Sequence, residues 1–324
     1  MEQANQQTNT RHGKIMQAVE AVEQVIVGKH GEIVTLMTAL LAGAHVLIED
    51  VPGTGKTSLA AALSRVLGLS FNRAQFTPDL MASDITGFNI YNRQKEAFEF
   101  REGLVMCNLL LADEINRASP KTQSALLEAM EEGRVTVDGV SYDMPTPFMV
   151  VATQNPTGYV GTYPLPEAQL DRFAFKISMG YPTPEEEIGI LRARRGADPM
   201  EALVECVTAD ELRAAQAEVR EVRVDEQLYR YIVSLVSATR THKALALGAS
   251  PRASVALLHL CQAYAYLRGR NYVIPDDVAA LYIPAVAHRV TLTQESKLAP
   301  LSVRDVLTDI LRATEVPYLG THTS

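Results

Sequence analysis

Apolar and polar positions follow two different patterns along the 324-residue chain. From about residue 14 to 180, short apolar runs alternate with stretches of helical period, which is typical of strand–helix–strand units on a parallel sheet. Five runs are predicted to be strands of that sheet, namely residues 45–49, 71–76, 109–113, 148–153 and 173–179. After Tyr181 the period is helical almost throughout. The pattern therefore predicts an α/β domain over residues 14–181 and an all-helical domain over 182–324.

Local signals refine this outline. Residues 1–13 have no apolar period and are predicted to form a disordered tail. Thr183 and Pro184 supply an N-cap and a first-turn proline, so the first helix of the second domain should begin there. Two hairpins are expected to project from the first domain, at residues 87–101 and, around an Asp-Gly turn, at 134–144.

Composition and charge exclude some classes of function but do not identify one. With 47% hydrophobic and 21% charged residues, the chain can bury a core, and no apolar run approaches the roughly 20 residues of a membrane span. No signal segment opens the chain, so a soluble cytoplasmic protein without direct membrane contact is expected. The net charge of −8 argues against a nucleic-acid surface. Cys107, Cys206 and Cys261 fit neither a disulfide framework nor a zinc site.

A glycine-rich loop, VPGTGKT at residues 51–57, follows the first predicted strand and precedes a helical stretch. The amides of such a loop and the dipole of the next helix bind phosphate, Lys56 reaches the β and γ phosphates, and Thr57 offers a hydroxyl to Mg²⁺. Asp50 stands where the general pattern has its first glycine. Because a carboxylate would repel phosphate, we expect Asp50 to point away from it.

Acidic and amide residues follow two other predicted strands. Asp113 and Glu114 end the run LLLA, at the sheet edge where open α/β sheets bind ligands. We expect Asp113 to hold Mg²⁺ through its water shell and Glu114 to orient and deprotonate the attacking water. Asn155 ends the run VVATQ, where it can meet the γ-phosphate or that water, although a turn before Pro156 is an alternative.

Two arginines are candidates for neutralising charge on a phosphoryl group. Arg172 precedes the last predicted strand, and its alternative role is a surface ion pair with Asp171. Arg252 lies in the first turn of the helix that Ser250 opens, where the helix dipole disfavours a cation. Arg252 therefore needs an anionic partner, either a phosphate or a nearby carboxylate.

These features in this order resemble the AAA+ ATPases, and the segments FTPDL, SDITG, DEINRA, ATQNP and LPEAQLDRF resemble the MoxR family within them. The resemblance implies a P-loop AAA+ core with a parallel five-stranded sheet, a helix-2 insert at residues 87–101, a pre-sensor hairpin at 134–144 and a C-terminal helical lid. It makes Asp113 and Glu114 the Walker B pair and Asn155 sensor 1. Arg172 becomes an arginine finger acting on a neighbouring subunit, and Arg252 becomes sensor 2.

The resemblance also implies ATP or ADP with Mg²⁺ as cofactors. The nucleotide-binding residues are then Val27, Gly28, Pro52, Gly53, Thr54, Gly55, Lys56, Thr57 and Ser58, with Thr57 and Asp113 at the metal. The implied assembly is a ring of identical subunits, a hexamer. The implied function is ATP-driven, chaperone-like remodelling or activation of a protein partner, including maturation of, or metal insertion into, a protein with a von Willebrand A domain.

Three other readings remain open at this stage. A P-loop kinase or GTPase is disfavoured, because no Asn-Lys-x-Asp segment occurs and the adjacent Asp-Glu pair favours activation of water. A DNA-associated motor or transcription activator would carry the same ATP site, but the acidic charge and the absence of a GAFTGA-like loop disfavour it. A nucleotide-bound structural scaffold would carry the same residues and would differ from an ATP-driven remodelling protein only in its slower rate of ATP hydrolysis.

Overall fold

A computed structural model describes residues 2–51, 53–155, 162–193, 196 and 198–318. The strands are β1 Val46–Glu49, β2 Phe71–Gln75, β3 Gly87–Asn92, β4 Ala97–Glu102, β5 Leu109–Asp113, β6 Arg134–Val137, β7 Val140–Asp143, β8 Met149–Gln154, β9 Phe175–Ile177, β10 Leu245–Leu247 and β11 Thr291–Leu292. The α-helices are α1 Glu2–Val25, α2 His30–Leu41, α3 Lys56–Val66, α4 Ala82–Thr86, α5 Pro120–Glu132, α6 Glu167–Leu170, α7 Pro184–Ala193, α8 Ala209–Arg220, α9 Glu226–Thr241, α10 Pro251–Leu267, α11 Pro275–Val286, α12 Gln294–Leu298 and α13 Val303–Ala313.

The central sheet contains the five predicted strands, all parallel, in the order β2-β5-β8-β1-β9. Strands β5 and β8 are buried over nearly their whole length because helices cover both faces, which explains their continuous apolar runs. Since parallel strands run in one direction, the residues that follow β1, β5 and β8 lie at the same edge of the sheet. The predicted α/β fold with a parallel five-stranded sheet is confirmed.

Strand β9 is shorter than the predicted run of residues 173–179. Phe173 and Met179 are buried, so the apolar pattern continues beyond the strand at both ends. The Phe173 amide instead donates to Leu170 O in a turn, at 3.1 Å. At the other end, the Met179 amide donates to the side chain of Asp50 at 2.8 Å. The apolar residues at both ends are therefore buried without belonging to the strand, which is why the apolar run is longer than β9.

Both predicted hairpins are present and touch each other. Strands β3 and β4 pair antiparallel, as do β6 and β7, whose turn residues Asp138 and Gly139 both have positive φ. The ring of Phe100 stacks on that of Tyr142 with centroids 3.8 Å apart, and Asn89 donates to Asp138 at 2.8 Å. The two hairpins therefore form one projecting surface.

The helices after residue 184 share a core with the α/β part. Leu257 and Cys261 of α10 belong to the same buried apolar cluster as Ile33 and Leu36 of α2. A second cluster, which includes Leu110 of β5, fills the other face of the sheet. Movement of the helical part relative to the sheet would therefore disturb a continuous apolar contact. No helix within the described ranges is long and apolar enough to cross a membrane.

The predicted disordered tail is wrong for the described residues 2–13, which form the first half of α1. Arg11 pairs with Glu218 of α8, and His12 Nε2 lies 3.1 Å from Leu267 O at the end of α10. These partners are more than 200 residues away along the chain. These polar contacts, which leave no apolar period in the sequence, hold the part of the helix around Arg11 and His12 against α8 and α10.

His45, buried next to β1, should make stability depend on pH. Its Nδ1 accepts from the Val150 amide at 3.0 Å, and Nε2 lies 3.1 Å from Met130 O, so the neutral ring carries its proton on Nε2. Burial lowers the pKa of His45 to about 4. The unfolded ring titrates near 6.5, so the unfolded chain binds this proton first and the free energy of unfolding should fall as pH drops from about 6.5 to about 4.

Urea unfolding at several pH values across this window measures the effect. His45→Asn keeps an acceptor for the Val150 amide but does not titrate, so its loss of stability towards acid should be shallower than that of the wild type. Equal pH slopes for the two proteins would contradict the assignment.

Candidate functional site

The loop between β1 and α3 has the backbone of an anion-binding loop. Gly53 and Gly55 have φ of +86° and +88°, a conformation that side-chain-bearing residues rarely adopt. Gly55 is the N-cap of α3, so the free amides of the first helical turn face the loop. Thr57 and Ser58 lie in that turn and line the same cleft. Pro52 lies outside the described residues, and Thr54 is buried within the loop.

Lys56 is the cation of this loop. Its Nζ donates to the carbonyl oxygens of Asp50 and Val51 at 3.0 and 2.9 Å. Burial lowers the pKa of Lys56, and the carboxylates of Asp50, Asp113 and Glu114 act against that shift. The ammonium group is thus held at the mouth of the loop and faces the acidic pair that follows β5.

Asp113 and Glu114 are held by a neighbouring strand. Thr153 Oγ1 in β8 donates to Asp113 Oδ1 at 2.6 Å and accepts from the Glu114 amide at 2.9 Å. Arg73 of β2 pairs with Asp113 at 2.8 Å, and Arg117 pairs with Glu114 Oε2 at 2.8 Å. Glu114 has a φ of +56°, which marks a backbone held in a left-handed conformation. The motif at 152–156 pointed to Asn155, but its Thr153 is the residue that joins the carboxylate of Asp113 to the backbone of Glu114.

The predicted phosphate-site residues line one cleft of about 430 Å³ at the carboxyl ends of β1, β5 and β8. The residues from the loop, the acidic pair and the β8 end that meet there are Gly53, Gly55, Lys56, Thr57, Ser58, Asp113, Glu114 and Asn155. A hydroxyl from Thr57 and a carboxylate from Asp113 are the hard oxygen donors that Mg²⁺ prefers. Among the described residues, no group of three or more His, Cys, Asp and Glu is placed to hold a metal.

A second cleft of about 400 Å³ adjoins the loop on its other side and shares Gly53, Gly55 and Ser58 with the first. Val27 and Ile190 line its apolar wall, and both come from outside the loop. Gly28 has a φ of +75°, and a Cβ there would lie 2.0 Å from the side chain of Glu186. Val27 thus contributes to the wall, while Gly28 allows α7 to approach it.

Arg172 and Arg252 lie together in a third cleft of about 470 Å³, which shares no described residue with the phosphate cleft. Both pair with Glu131 near the end of α5, at 2.9 and 2.6 Å. Gly43, Ala44 and His45, which precede β1, line this cleft. It therefore lies at the edge of the sheet opposite the phosphate loop, separated from that loop by roughly 16 Å of β1 at about 3.3 Å per residue.

The ion pair between Arg172 and Asp171 considered from the sequence is not formed. Asp171 instead accepts from Ser250 Oγ, the N-cap of α10, at 2.7 Å and faces Arg289 at 3.3 Å. The alternative of a carboxylate partner for Arg252 does match the geometry within one chain, since Glu131 is that partner. The segment that carries Asp171 and Arg172 is therefore tied directly to the helix that carries Arg252.

Sequence reasoning missed Arg289. Its Nη2 donates to Phe173 O at 2.8 Å, and burial lowers its pKa to about 10, to which repulsion from Arg252 contributes. Arg289 Nη1 and Arg172 Nε are buried without a hydrogen-bond partner. With three guanidinium groups against the carboxylates of Glu131 and Asp171, the third cleft carries a surplus positive charge. An anion would satisfy both the charge and the unpaired donors.

Models of known protein families match two parts of this chain. A family model described as the ATPase family associated with various cellular activities (AAA) matches residues 45–175. A model described as an AAA lid domain matches residues 237–310. The first match begins at His45, next to β1, and ends at Phe175, the first residue of β9, so it includes the other four strands of the central sheet in full.

Similar proteins match along nearly the whole chain. The uncharacterised protein YeaC of Bacillus subtilis is 49% identical, over 94% of this chain and 96% of its own length. The chaperone MoxR1 of Mycobacterium tuberculosis is 43% identical, over 94% of this chain and 82% of its own. A crystal structure from Cytophaga hutchinsonii, described as a proposed ATPase, superposes with a TM-score of 0.92 at 36% identity and covers 98% of this chain and 99% of its own.

Proposed function

Because the chain belongs to the MoxR family of AAA+ ATPases, we propose that it hydrolyses ATP as a ring of identical copies in which Arg172 and Arg252 of one copy act on the ATP of the next. The separation of the two clefts carries this proposal. Arg172 and Arg252 lie at the edge of the sheet opposite their own phosphate loop, among unpaired donors that suit an anion. A neighbour's ATP is an anion that can reach them.

Within one site, each residue has a separate task. The loop amides and Lys56 bind the phosphates, and Asn155 at the end of β8 contacts the γ-phosphate or the attacking water. Glu114 accepts a proton from that water, while Arg117 and Thr153 hold its side chain and backbone in place. Thr57 and Asp113 would hold Mg²⁺, which neutralises phosphate charge when bound. Arg172 of the neighbour then stabilises charge that develops on the γ-phosphate.

Glu131 gives the two arginines a carboxylate partner when no neighbour is bound. A phosphate group carries more charge and more acceptor oxygens than one carboxylate, so a neighbour's ATP competes well for these guanidinium groups. The β6–β7 hairpin begins at Arg134, three residues after Glu131. Exchange of Glu131 for phosphate would therefore begin a movement beside the projecting hairpins.

The ATPase cycle would remodel or activate a protein client, in a ring that we take to be a hexamer. The proposed client carries a von Willebrand A domain, and its maturation or metal loading is the proposed outcome. Exposed apolar side chains on the β3–β4 hairpin, including Phe88, Tyr91 and Phe98, give the ring a surface suited to protein contact. The acidic net charge of the chain disfavours the alternative of a DNA motor.

Capture with a Glu114→Gln variant tests the client. Such a variant should hold ATP in the assembled state, so a von Willebrand A protein should be retained with it and ATP. It should not be retained with a Lys56→Ala/Glu114→Gln variant, which cannot hold the phosphates. Equal retention by both variants, or retention of nucleic acid instead, would overturn this part of the proposal.

Arg252→Ala should reduce the preference for ATP over ADP. Because Arg252 is proposed to contact the γ-phosphate of a neighbouring site, its loss should weaken ATP binding to the assembled ring by about tenfold and leave ADP binding nearly unchanged. Titration of both nucleotides at a protein concentration that favours rings measures the ratio. An unchanged ratio would leave Arg252 as a structural partner of Glu131.

A further inference from the structure

Asp50, the departure from the general phosphate-loop pattern, connects the loop to the segment that leads into the helical domain. Its side chain is buried, with 7% of the residue exposed. Oδ2 accepts from the amides of Met179 and Gly180 at 2.8 and 2.7 Å, and Oδ1 accepts from the Val51 amide at 2.8 Å. The carboxylate is thus occupied by three backbone donors, two of which lie about 130 residues further along the chain.

The main chain of Asp50 belongs to the phosphate site at the same time. Its carbonyl oxygen accepts from Lys56 Nζ at 3.0 Å, and its amide donates to Gln154 O at the end of β8, at 3.1 Å. One residue therefore contacts the loop lysine through its backbone and the distant segment 178–180 through its side chain. No glycine at this position could make the second contact.

Segment 178–180 leads from the central sheet to the first helix of the helical domain. It follows β9, and Gly180 has a φ of +62°, which turns the chain towards α7. Lys29 donates to Met179 O, so the segment is held from two sides. Two residues after Gly180, Pro182 lines the cleft beside the loop, and Ile190 of α7 lines the same cleft. The wall of that cleft consequently depends on where segment 178–180 is fixed.

We propose that Asp50 is a positioning residue for nucleotide binding, because it fixes segment 178–180 and so forms the wall of the second cleft before the nucleotide arrives. The inference rests on the nucleotide site described above. It places the base and ribose in the second cleft and assigns the carboxylate of Asp50, unlike its main chain, to that side rather than to the phosphates. A preformed wall reduces the conformational cost of binding for every nucleotide that carries the same base, however many phosphates it has.

Two variants test the proposal. Asp50→Asn keeps the shape of the side chain but presents an NH₂ group to backbone donors, and Asp50→Gly restores the general loop pattern while removing the contact. We expect both to bind ADP and Mg-ATP about tenfold more weakly, to the same extent for each nucleotide. KM for ATP should rise by a similar factor, while kcat at saturating ATP stays within about twofold of the wild type. Hydrogen exchange at the Met179 and Gly180 amides should be faster in both variants.

Asp305→Asn is the matched control. Asp305 also caps a backbone amide with its carboxylate, at the start of α13, so this variant should lose some stability without a change in nucleotide affinity. If Asp50 acted on the phosphates instead, Asp50→Gly would remove a repulsive charge and strengthen ATP binding more than ADP binding. That result, or unchanged affinity in both variants, would overturn the proposal. Failure of the wild type to bind nucleotide would refute the ATP site itself and is thereby distinguishable.

Discussion

Arg172→Ala should lower kcat by about 10³ to 10⁵, the range for loss of an arginine that stabilises charge on a transferred phosphoryl group. ADP affinity should remain close to that of the wild type, because Arg172 lies in a different cleft from the phosphate loop of its own chain and ADP has no γ-phosphate for the arginine of a neighbour to contact. Steady-state ATPase assays and titration with ADP measure the two quantities. The effect is expected in kcat because the arginine acts on charge that develops during the reaction.

Arg304→Ala provides the control for Arg172→Ala. Arg304 is an exposed arginine in the first turn of α13, so its removal deletes the same charge from the chain without affecting the third cleft. The control should keep its ATPase rate. A fall in kcat of less than tenfold in Arg172→Ala, or an equal fall in both variants, would contradict the role of Arg172 as a finger.

Glu114→Gln should slow hydrolysis by about 10² to 10⁴, the range for removal of a positioned general base, and should retain ATP binding. Glutamine preserves the length of the side chain and can still accept from Arg117, which now pairs with Glu114 Oε2 at 2.8 Å. The backbone contact between Glu114 and Thr153 does not involve the side chain and should remain. Single-turnover ATPase rates and ATP titration separate the chemical step from binding.

Glu128→Gln makes the same chemical change on the exposed face of α5 and should leave the rate unchanged. If Glu114→Gln hydrolysed ATP as fast as Glu128→Gln, then Glu114 would not be the base. If it no longer bound ATP, the effect would arise from damage to the site, and the assignment would also fail.

Much of the arrangement of the candidate ATP site could be predicted from the sequence because its parts follow buried strands. The apolar run before Asp113 predicts a central strand, and the run before Asn155 predicts its neighbour. A parallel sheet then brings the ends of these strands to one edge. The glycines at 53 and 55 mark the loop because only glycine takes their backbone conformation without strain.

Contacts between distant parts of the chain could not be predicted. Arg289 reaches Phe173 O across 116 residues, and Glu131 joins Arg172 of the sheet edge to Arg252 of α10. Neither Arg289 nor Glu131 lies in a local sequence pattern that distinguishes it from an ordinary charged residue on the surface. Asp50 could be recognised as a departure, and the expectation that it avoids phosphate agrees with its contacts, but its partners at 178–180 required the fold.

The proposed ring also predicts how the ATPase rate per chain depends on protein concentration. If each site needs the arginine finger of a neighbour, the rate should rise steeply as copies assemble and then level off. Dilution should lower it reversibly. A monomer with a constant rate per chain would require an arginine to reach its own nucleotide, which conflicts with the opposite positions of the two clefts.

Mixing two inactive variants tests the shared site most directly. An Arg172→Ala copy has an intact phosphate cleft but no finger, and a Glu114→Gln copy has a finger but no base. In equal, random mixtures about a quarter of the interfaces should pair an intact cleft with an intact finger, so ATPase activity should return well above the sum of the separate rates. A mixture of Glu114→Gln with the double variant Glu114→Gln/Arg172→Ala contains no such interface and should stay inactive. If the first mixture were no more active than its components, the proposal that Arg172 completes a neighbour's ATP site would be contradicted.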